Sequence, residues 1–382
     1  MGKFAKRRSA SLRTMHRAIR TLCLKPLRQG VTATKADRYV KHYGSRDFAL
    51  ALIWYFVLGV RSLRELHVRL SEDRHLTELS SMRGISNAQL ANLPHDRPSA
   101  LWQPLLAHLR AHLQPMRTLL PRPVWALDAT FFTLGSRLLA RVTGRELQPE
   151  NAGIKLSAVV NLENCAPQRT HVSTGSGHDA EHADKLLPPD LPIAGILFLF
   201  DRGYRNYQFF RDLIGRHADF ITRACATDVF RPVATMLPDA EHPEIVSDEL
   251  GWLGGTRQEP IWLRRVVKHD DRGEVVFLTS VMDLSGAEIA QLYAQRWDIE
   301  SFFRWLKRSV HLRRPLGYSL QAAEHTIMAA LVVYLLALLL AETSTNPKTG
   351  RITVHIATAL QRLRARLHHK PRARELRALG FY

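Results

Sequence analysis

Asp128, Asp201 and Glu300 are the residues whose type and setting could do chemistry together in this chain. Asp128 ends the apolar run 124–127 and Asp201 directly follows the run 196–200, each where a buried strand would finish. Glu300 lies in the segment 293–307, which contains no Gly or Pro and reads as helix. At 100° per residue, Tyr293, Arg296, Glu300 and Lys307 fall within an arc of about 60°. One face would then carry a phenol, a guanidinium, a carboxylate and an ammonium in a column. A solvated face of ordinary ion pairs is the plain reading. The same segment also holds Trp297, Ile299, Phe302, Phe303, Trp305 and Leu306, so the helix reads as buried and its charges need partners or a task. A carboxylate flanked by cations suits metal-assisted phosphate chemistry, with Glu300 on the metal and Arg296 and Lys307 on phosphates. Three carboxylates meeting at one edge can hold two Mg²⁺ ions about 4 Å apart, one for the attacking oxygen and one for the leaving oxygen.

The elements that must position these groups follow from the hydrophobic period. Strands are expected at 124–128, 136–144, 153–164, 196–200 and 219–224, with helices over 179–187 and 206–218. Strands alternating with helices, with acids at strand ends, imply an α/β sheet whose site lies at that edge. Residues 225–283 break the rhythm. Segments such as 259–269 and 273–282 look like strands separated by turns, which makes this stretch a β-rich insertion.

The region before the sheet reads as helical. An apolar helix is expected over 47–60, two short amphipathic helices over 62–70 and 75–82, and a third capped by Ser86 and ending before Pro94. That order is compatible with a helix-turn-helix, as it is with any small bundle. Residues 1–36 contain no Asp or Glu, and the stripe Leu12, Met15, Ile19, Leu22 leaves Arg13, Arg17 and Arg20 on another side. This is a basic amphipathic helix, suited to packing on one side and touching phosphates on the other. The tail after Thr343 is polar and then strongly basic.

Composition agrees with a polyanionic partner. The 382 residues carry 54 Lys and Arg against 35 Asp and Glu, a formal charge of +19, and nucleic acid is the commonest partner for such a field. A hydrophobic content of 46% argues for a real core rather than a basic tail protein. Cys23, Cys165 and Cys225 are scattered and odd in number, which fits a reducing compartment and suggests no disulfide framework or zinc ribbon. The apolar run 326–341 is short for a membrane span, and a buried core helix is the expectation.

With these residues in view, the chain resembles the bacterial insertion-sequence transposases of the DDE class. Tyr293, Arg296, Glu300 and Lys307 reproduce the Y-x2-R-x3-E-x6-K signature of that family, Asp201-Arg202-Gly203-Tyr204 looks like its second-acid motif, and Asp128 looks like its first acid. The resemblance covers roughly residues 45–345. It implies a ribonuclease-H-like catalytic core with a β-rich insertion, preceded by an α-helical amino-terminal region. On that reading 1–120 is a helical DNA-binding region, 121–224 and 284–345 form the core, 225–283 is the insertion and 346–382 is a basic tail. It further implies two Mg²⁺ or Mn²⁺ ions on Asp128, Asp201 and Glu300. Double-stranded DNA, as transposon ends and target, would be the substrate. Tyr293, Arg296, Lys307, Arg202, Tyr204 and Trp297 would face that substrate, in a homodimer of the prokaryotic cytoplasm and its nucleoid, with no membrane role. Relatives with the Y-R-E-K pattern can release the element through a hairpin, for which Trp252, Trp262 or Trp297 would offer a stacking platform.

Three rivals differ in class. His178-Asp-Ala-Glu-His182 matches an H-x-x-E-H zinc pattern, but Gly175-Ser-Gly177 places His178 at or before the helix start, which spoils a shared face. A catalytically inactive transposase-derived DNA-binding protein would keep the basic surface alone, and the presence of all three acids speaks against it. Another ribonuclease-H-like nuclease is disfavoured by the insertion and by the 293–307 pattern.

Overall fold

The computed structural model describes residues 22–40, 42–60, 62–72, 82, 84–133, 153–174, 179–236, 241–255, 259–271, 273–309, 319–339, 343–345 and 352–354. The amphipathic helix expected before residue 22, the strand at 136–144, most of the helix at 75–82, His178 and the basic tail lie outside the described residues. The chain divides into two units, one of residues 1–114, 134–147 and 305–382, the other of 115–133 and 148–304.

Apart from a short antiparallel ladder of Thr343–Thr345 with Ile352–Val354, the first unit is helical where described: α1 (Leu24–Thr34), α2 (Ser45–Leu58), α3 (Leu63–Glu72), α4 (Asn87–Asn92), α5 (Gln103–Ala111) and, after the unit's return, α10 (Leu320–Leu339). Ser86 caps α4 as its sequence suggests. Its side chain accepts from Gln89 N–H while the Gln89 side chain accepts from Ser86 N–H. Helix α4 is only six residues long and gives way to a 3₁₀ turn at Leu93–Asp96. Helices α2 and α10 are apolar on nearly every side and pack together as the centre of this unit. Among the described residues α10 is the helix long and apolar enough to cross a bilayer, and 89% of its apolar window is buried inside the protein. The core-helix expectation is met. A polar knot tightens the packing: Trp102 Nε1–H donates to His325 Nδ1 at 2.8 Å, and His325 Nε2 meets the Arg97 carbonyl at 2.8 Å.

The second unit is built on a sheet of nine described strands: β1 (Val124–Thr133), β2 (Gly153–Asn161), β3 (Ala166–Thr174), β4 (Leu197–Phe200), β5 (Asp219–Arg223), β6 (Phe230–Thr235), β7 (Ile245–Leu253), β8 (Ile261–Asp270) and β9 (Gly273–Thr279). Their order is β3-β2-β1-β4-β5-β9-β8-β7-β6. The β1–β2 and β2–β3 pairs are antiparallel, β1–β4 and β4–β5 parallel, which is the ribonuclease-H-like arrangement. The insertion is a four-stranded antiparallel meander that returns through β9 to pair with β5, so it continues the central sheet.

Strand β4 is buried on both faces, as expected of a central parallel strand reading Leu-Phe-Leu-Phe. One sheet face packs Leu127, Val159, Phe198 and Phe200 against α6 (Ala183–Leu186) and α7 (Tyr207–Gly215). The helix expected at 179–187 is a 3₁₀ turn, Asp179–His182, leading into α6. Strand β1 is longer than its apolar run. It does not end at Asp128 but continues to Thr133, because antiparallel β2 supplies hydrogen-bonding partners along its whole length. The parallel partner β4 is already finished at Phe200. Gly153 allows that long pairing, since a Cβ there would sit 2.5 Å from the Phe132 carbonyl oxygen.

Candidate active site

Register places the first two acids. Leu127 pairs with Phe200 at the end of the β1–β4 ladder, so Asp128 and Asp201 occupy the next level of neighbouring parallel strands. Such strands run about 4.8 Å apart. Phe200 pairs with Thr222 and Arg223 with Phe277, which puts Asp128, Asp201, Arg223 and Phe277 in one row on one sheet face, opposite the apolar cluster on α7. Each aspartate fixes one oxygen locally. Asp128 Oδ1 accepts from Ala129 N–H at 2.8 Å, and Asp201 Oδ1 accepts from Arg202 N–H at 2.7 Å as it caps the 3₁₀ turn Arg202–Tyr204.

The third acid arrives on the helices after β9. The sequence predicts one helix through 293–307, but there are two: α8 (Gly286–Ala294) and α9 (Trp297–Ser309), separated by a turn at Gln295–Arg296. No Gly or Pro accounts for the break. The N–H groups of Gln295, Arg296, Asp298 and Ile299 each donate to the carbonyl three residues back, which tightens the chain locally toward 3₁₀ geometry. The single column of four residues is therefore split. Tyr293 sits at the end of α8, Arg296 in the turn, and Glu300 and Lys307 on α9.

The turn aims Arg296 inward. Its side chain is 9% exposed, with one terminal nitrogen 3.2 Å from Asp128 Oδ2 and the other 3.0 Å from Glu300 Oε1. Burial works against its charge, but Tyr293, Asp128, Asp201 and Glu300 together outweigh that and hold the guanidinium above its ordinary pKa. All three acids thus act on one arginine. The Tyr293 ring packs 5.2 Å from that of Phe277, and burial pushes its phenol up to about 12, so it stays protonated at neutral pH. Trp297 is 55% exposed, with the Arg296 guanidinium 5.9 Å from its ring. Arg202 and Lys307 are exposed on the surface. Tyr204 differs from expectation: it is fully buried among Phe200 and its neighbours, so its ring supports the Asp201 loop from below and offers no surface to a substrate. On the insertion, Trp252 and Trp262 face each other across β7 and β8 with ring centroids 5.0 Å apart, each more than a third exposed.

The donor set fits a hard divalent cation in kind: three carboxylates, without imidazole or thiolate. Among the described residues, no group of three His, Cys, Asp or Glu side chains stands close enough to enclose a metal as placed. The negative charge of the cluster is answered by Arg296 instead. Sequence reasoning missed Arg117, whose guanidinium donates to the Leu162 carbonyl at 2.8 Å, to Gln295 Oε1 at 3.2 Å and to the Asp298 carboxylate. A contact spanning 178 residues leaves no local pattern to find.

Residues 120–336 match the family profile described as Transposase DDE domain, more than half of the chain. The chain belongs to that family. Relatives agree. A protein of Sinorhizobium fredii named as a transposase is 27% identical over 190 residues, covering 48% of this chain and 52% of that protein. A Geobacillus stearothermophilus protein named as a transposase for an insertion sequence element is 24% identical over 301 residues, 76% of each. A Synechocystis protein with a name of the same kind is 21% identical over 224 residues, 57% of this chain and 60% of that one. The chain thus spans about half the length of the first of these relatives. The expected resemblance to bacterial insertion-sequence DDE transposases holds at family level, and the zinc-hydrolase reading of 178–182 gives way to it.

Proposed function

We propose that this protein is a transposase that cuts DNA at the ends of a mobile element and joins them to target DNA. The observation that carries the reading is that Asp128 and Asp201 each lie one residue beyond the last pair of the β1–β4 ladder, with Arg296 spanning Asp128 and Glu300. Asp128, Asp201 and Glu300 would hold two Mg²⁺ or Mn²⁺ ions. Such ions, when bound, offset charge on the attacking and leaving oxygens of a phosphodiester.

The chain's own groups supply the rest. Phosphoryl transfer needs a positioned nucleophile and neutralised nonbridging oxygens. Arg296, whose two terminal nitrogens diverge toward Asp128 and Glu300, is placed to exchange a carboxylate for a phosphate oxygen without leaving the site. Tyr293, protonated, can donate to the same phosphate, while Lys307 and Arg202 hold the backbone further out. In the first step water attacks the scissile phosphorus, loses its proton, and a 3′ hydroxyl leaves. That hydroxyl then attacks a phosphorus of the opposite strand, forming a hairpin on the element end as the flanking strand's 3′ oxygen leaves with the proton. A second water then breaks the hairpin's new phosphodiester and restores the 3′ hydroxyl before strand transfer. Trp252 and Trp262, exposed on the insertion, would offer a stacking surface for an unpaired base, with Trp297 as the candidate beside Arg296.

Cut-and-paste movement requires two ends together, so the working species is a homodimer on double-stranded DNA. The helical region within 1–120 and the basic tail 346–382 would hold DNA outside the catalytic core of 121–224 and 284–345 and its insertion of 225–283. The setting is the nucleoid of a prokaryotic cytoplasm.

The test is duplex DNA carrying the boundaries of the element that encodes the protein, incubated with wild type and Glu300→Gln in Mg²⁺ and in Ca²⁺. Nicks at the boundaries from wild type in Mg²⁺ alone are expected. Tight binding without cleavage under every condition would instead make the protein a DNA-binding relative that has lost its chemistry. Cutting of unrelated branched DNA in preference to the ends would indicate a different nuclease.

A further inference from the structure

The helix break at Gln295–Arg296 presents both Arg296 and Glu300, and nothing in its own sequence enforces it. Four amide bonds to the carbonyl three residues back, from Gln295, Arg296, Asp298 and Ile299, are poorer than α-helical ones, so the turn needs support from outside the helix. Arg117 stands there. Its side chain is 9% exposed and donates to Gln295 Oε1 within the turn and to Asp298 Oδ2 just beyond it, bracketing Arg296 on both sides. The same guanidinium donates to the Leu162 carbonyl, and Met116 N–H donates to the Glu163 carbonyl at 2.8 Å. Leu162 N–H in turn donates to the Val124 carbonyl, at the start of the strand that bears Asp128. An unbroken chain of hydrogen bonds therefore runs from β1 through Arg117 to the turn.

We infer that Arg117 is a positioning residue that fixes the Gln295–Asp298 turn, and through it the placement of Glu300 and Arg296 against Asp128. A planar fork with donors on two edges suits the task, because it can meet an amide oxygen, a carboxylate and a peptide carbonyl at once. Lysine carries one compact ammonium and cannot span all three. The inference rests on the reading of Glu300 as a metal ligand, so the experiment separates the two.

Purified full-length wild type, Glu300→Gln, Arg117→Ala, Arg117→Lys and Asp298→Asn are titrated with Mn²⁺ in the absence of DNA, with free Mn²⁺ followed by electron paramagnetic resonance. Far-UV circular dichroism on the same samples reports whether the helices remain. Glu300→Gln should weaken Mn²⁺ binding. Arg117→Ala should weaken it about 10- to 100-fold, the range for residues that orient metal ligands. Arg117→Lys should recover only part of that loss, and Asp298→Asn should lose less than Arg117→Ala. The double variant Arg117→Ala with Asp298→Asn should lose no more than the worse single one, since both cut the same link. Weakening in Glu300→Gln with none in folded Arg117→Ala or Arg117→Lys overturns the inference while leaving the metal site standing. No weakening in Glu300→Gln overturns the metal reading itself.

Discussion

Arg296 lies 3.2 Å from Asp128 although 168 residues separate them in the chain, and it reaches Glu300, four residues on, at 3.0 Å. A cation at that point keeps two carboxylates from facing each other uncompensated. Replacing Arg296 by Gln should therefore lower the melting temperature in metal-free buffer, and added Mg²⁺ should raise it by more than in wild type. Removing one partner of a buried pair typically costs about 3–5 kcal/mol, and the exposure of Glu300 places this case at or below the low end. Equal Mg²⁺ shifts in the two proteins would argue that Arg296 and a metal do not share these carboxylates.

His325 supplies a pH prediction. Burial lowers its pKa from 6.5 to about 4, against a smaller raising effect of its hydrogen bond to the Arg97 carbonyl. The folded protein thus keeps it neutral while the unfolded chain protonates it. Its contribution is present above pH 6.5 and is lost as pH falls through about 4, on the order of 3 kcal/mol across that window. Urea melts at stepped pH should show this loss, and His325→Gln, which can serve both neighbours without titrating, should flatten it.

Phe200 tests how far the site leans on the core. It is fully buried, with rings of Phe209, Phe210 and Phe220 between 5.5 and 6.0 Å away, and directly precedes Asp201. Phe200→Ala should cost about 3–5 kcal/mol in denaturant unfolding. A value below 1 kcal/mol would mean that the cluster closes over the gap.

Within the insertion, Arg264 is 2% exposed and grips Asp248 with two bonds of 2.7 and 2.6 Å while donating to the Leu284 carbonyl. Asp248→Ala strands that charge and should destabilise by about 3–5 kcal/mol. The paired change Asp248→Leu with Arg264→Met should recover most of it. Additive losses in thermal melts would contradict the pairing.

On the proposed mechanism, Trp252 and Trp262 would bear on the hairpin step alone. Alanine at either should leave first-strand nicking intact and reduce hairpin product, since stacking one base is worth about 1–3 kcal/mol. Equal loss of both products on a sequencing gel would remove these rings from that role.

What could be read in advance follows physical lines. Strands β1, β2, β4 and β5 carry apolar runs strong enough to reveal themselves, and with them the two aspartates at one level. Strands β3 and β6 did not show, because edge strands bury little: β6 is exposed at nearly every position, and each contains a proline. The helix break at Gln295 was equally invisible, because the groups that stabilise it, Arg117 and the Leu162 carbonyl, are distant in sequence. Helical periodicity therefore placed Tyr293 on the same helix as Glu300, a relation the tertiary contacts remove.

Those two prolines have a consequence of their own. Pro167 and Pro232 sit beside register irregularities in β3 and β6, the outermost described strands of the sheet. A proline there withdraws an amide donor from the free edge, and a bulge twists the row out of line. Two copies brought close together are thereby discouraged from fusing edge to edge into one continuous sheet. If two copies meet at paired DNA ends as proposed, that crowding would then leave them separable rather than aggregated.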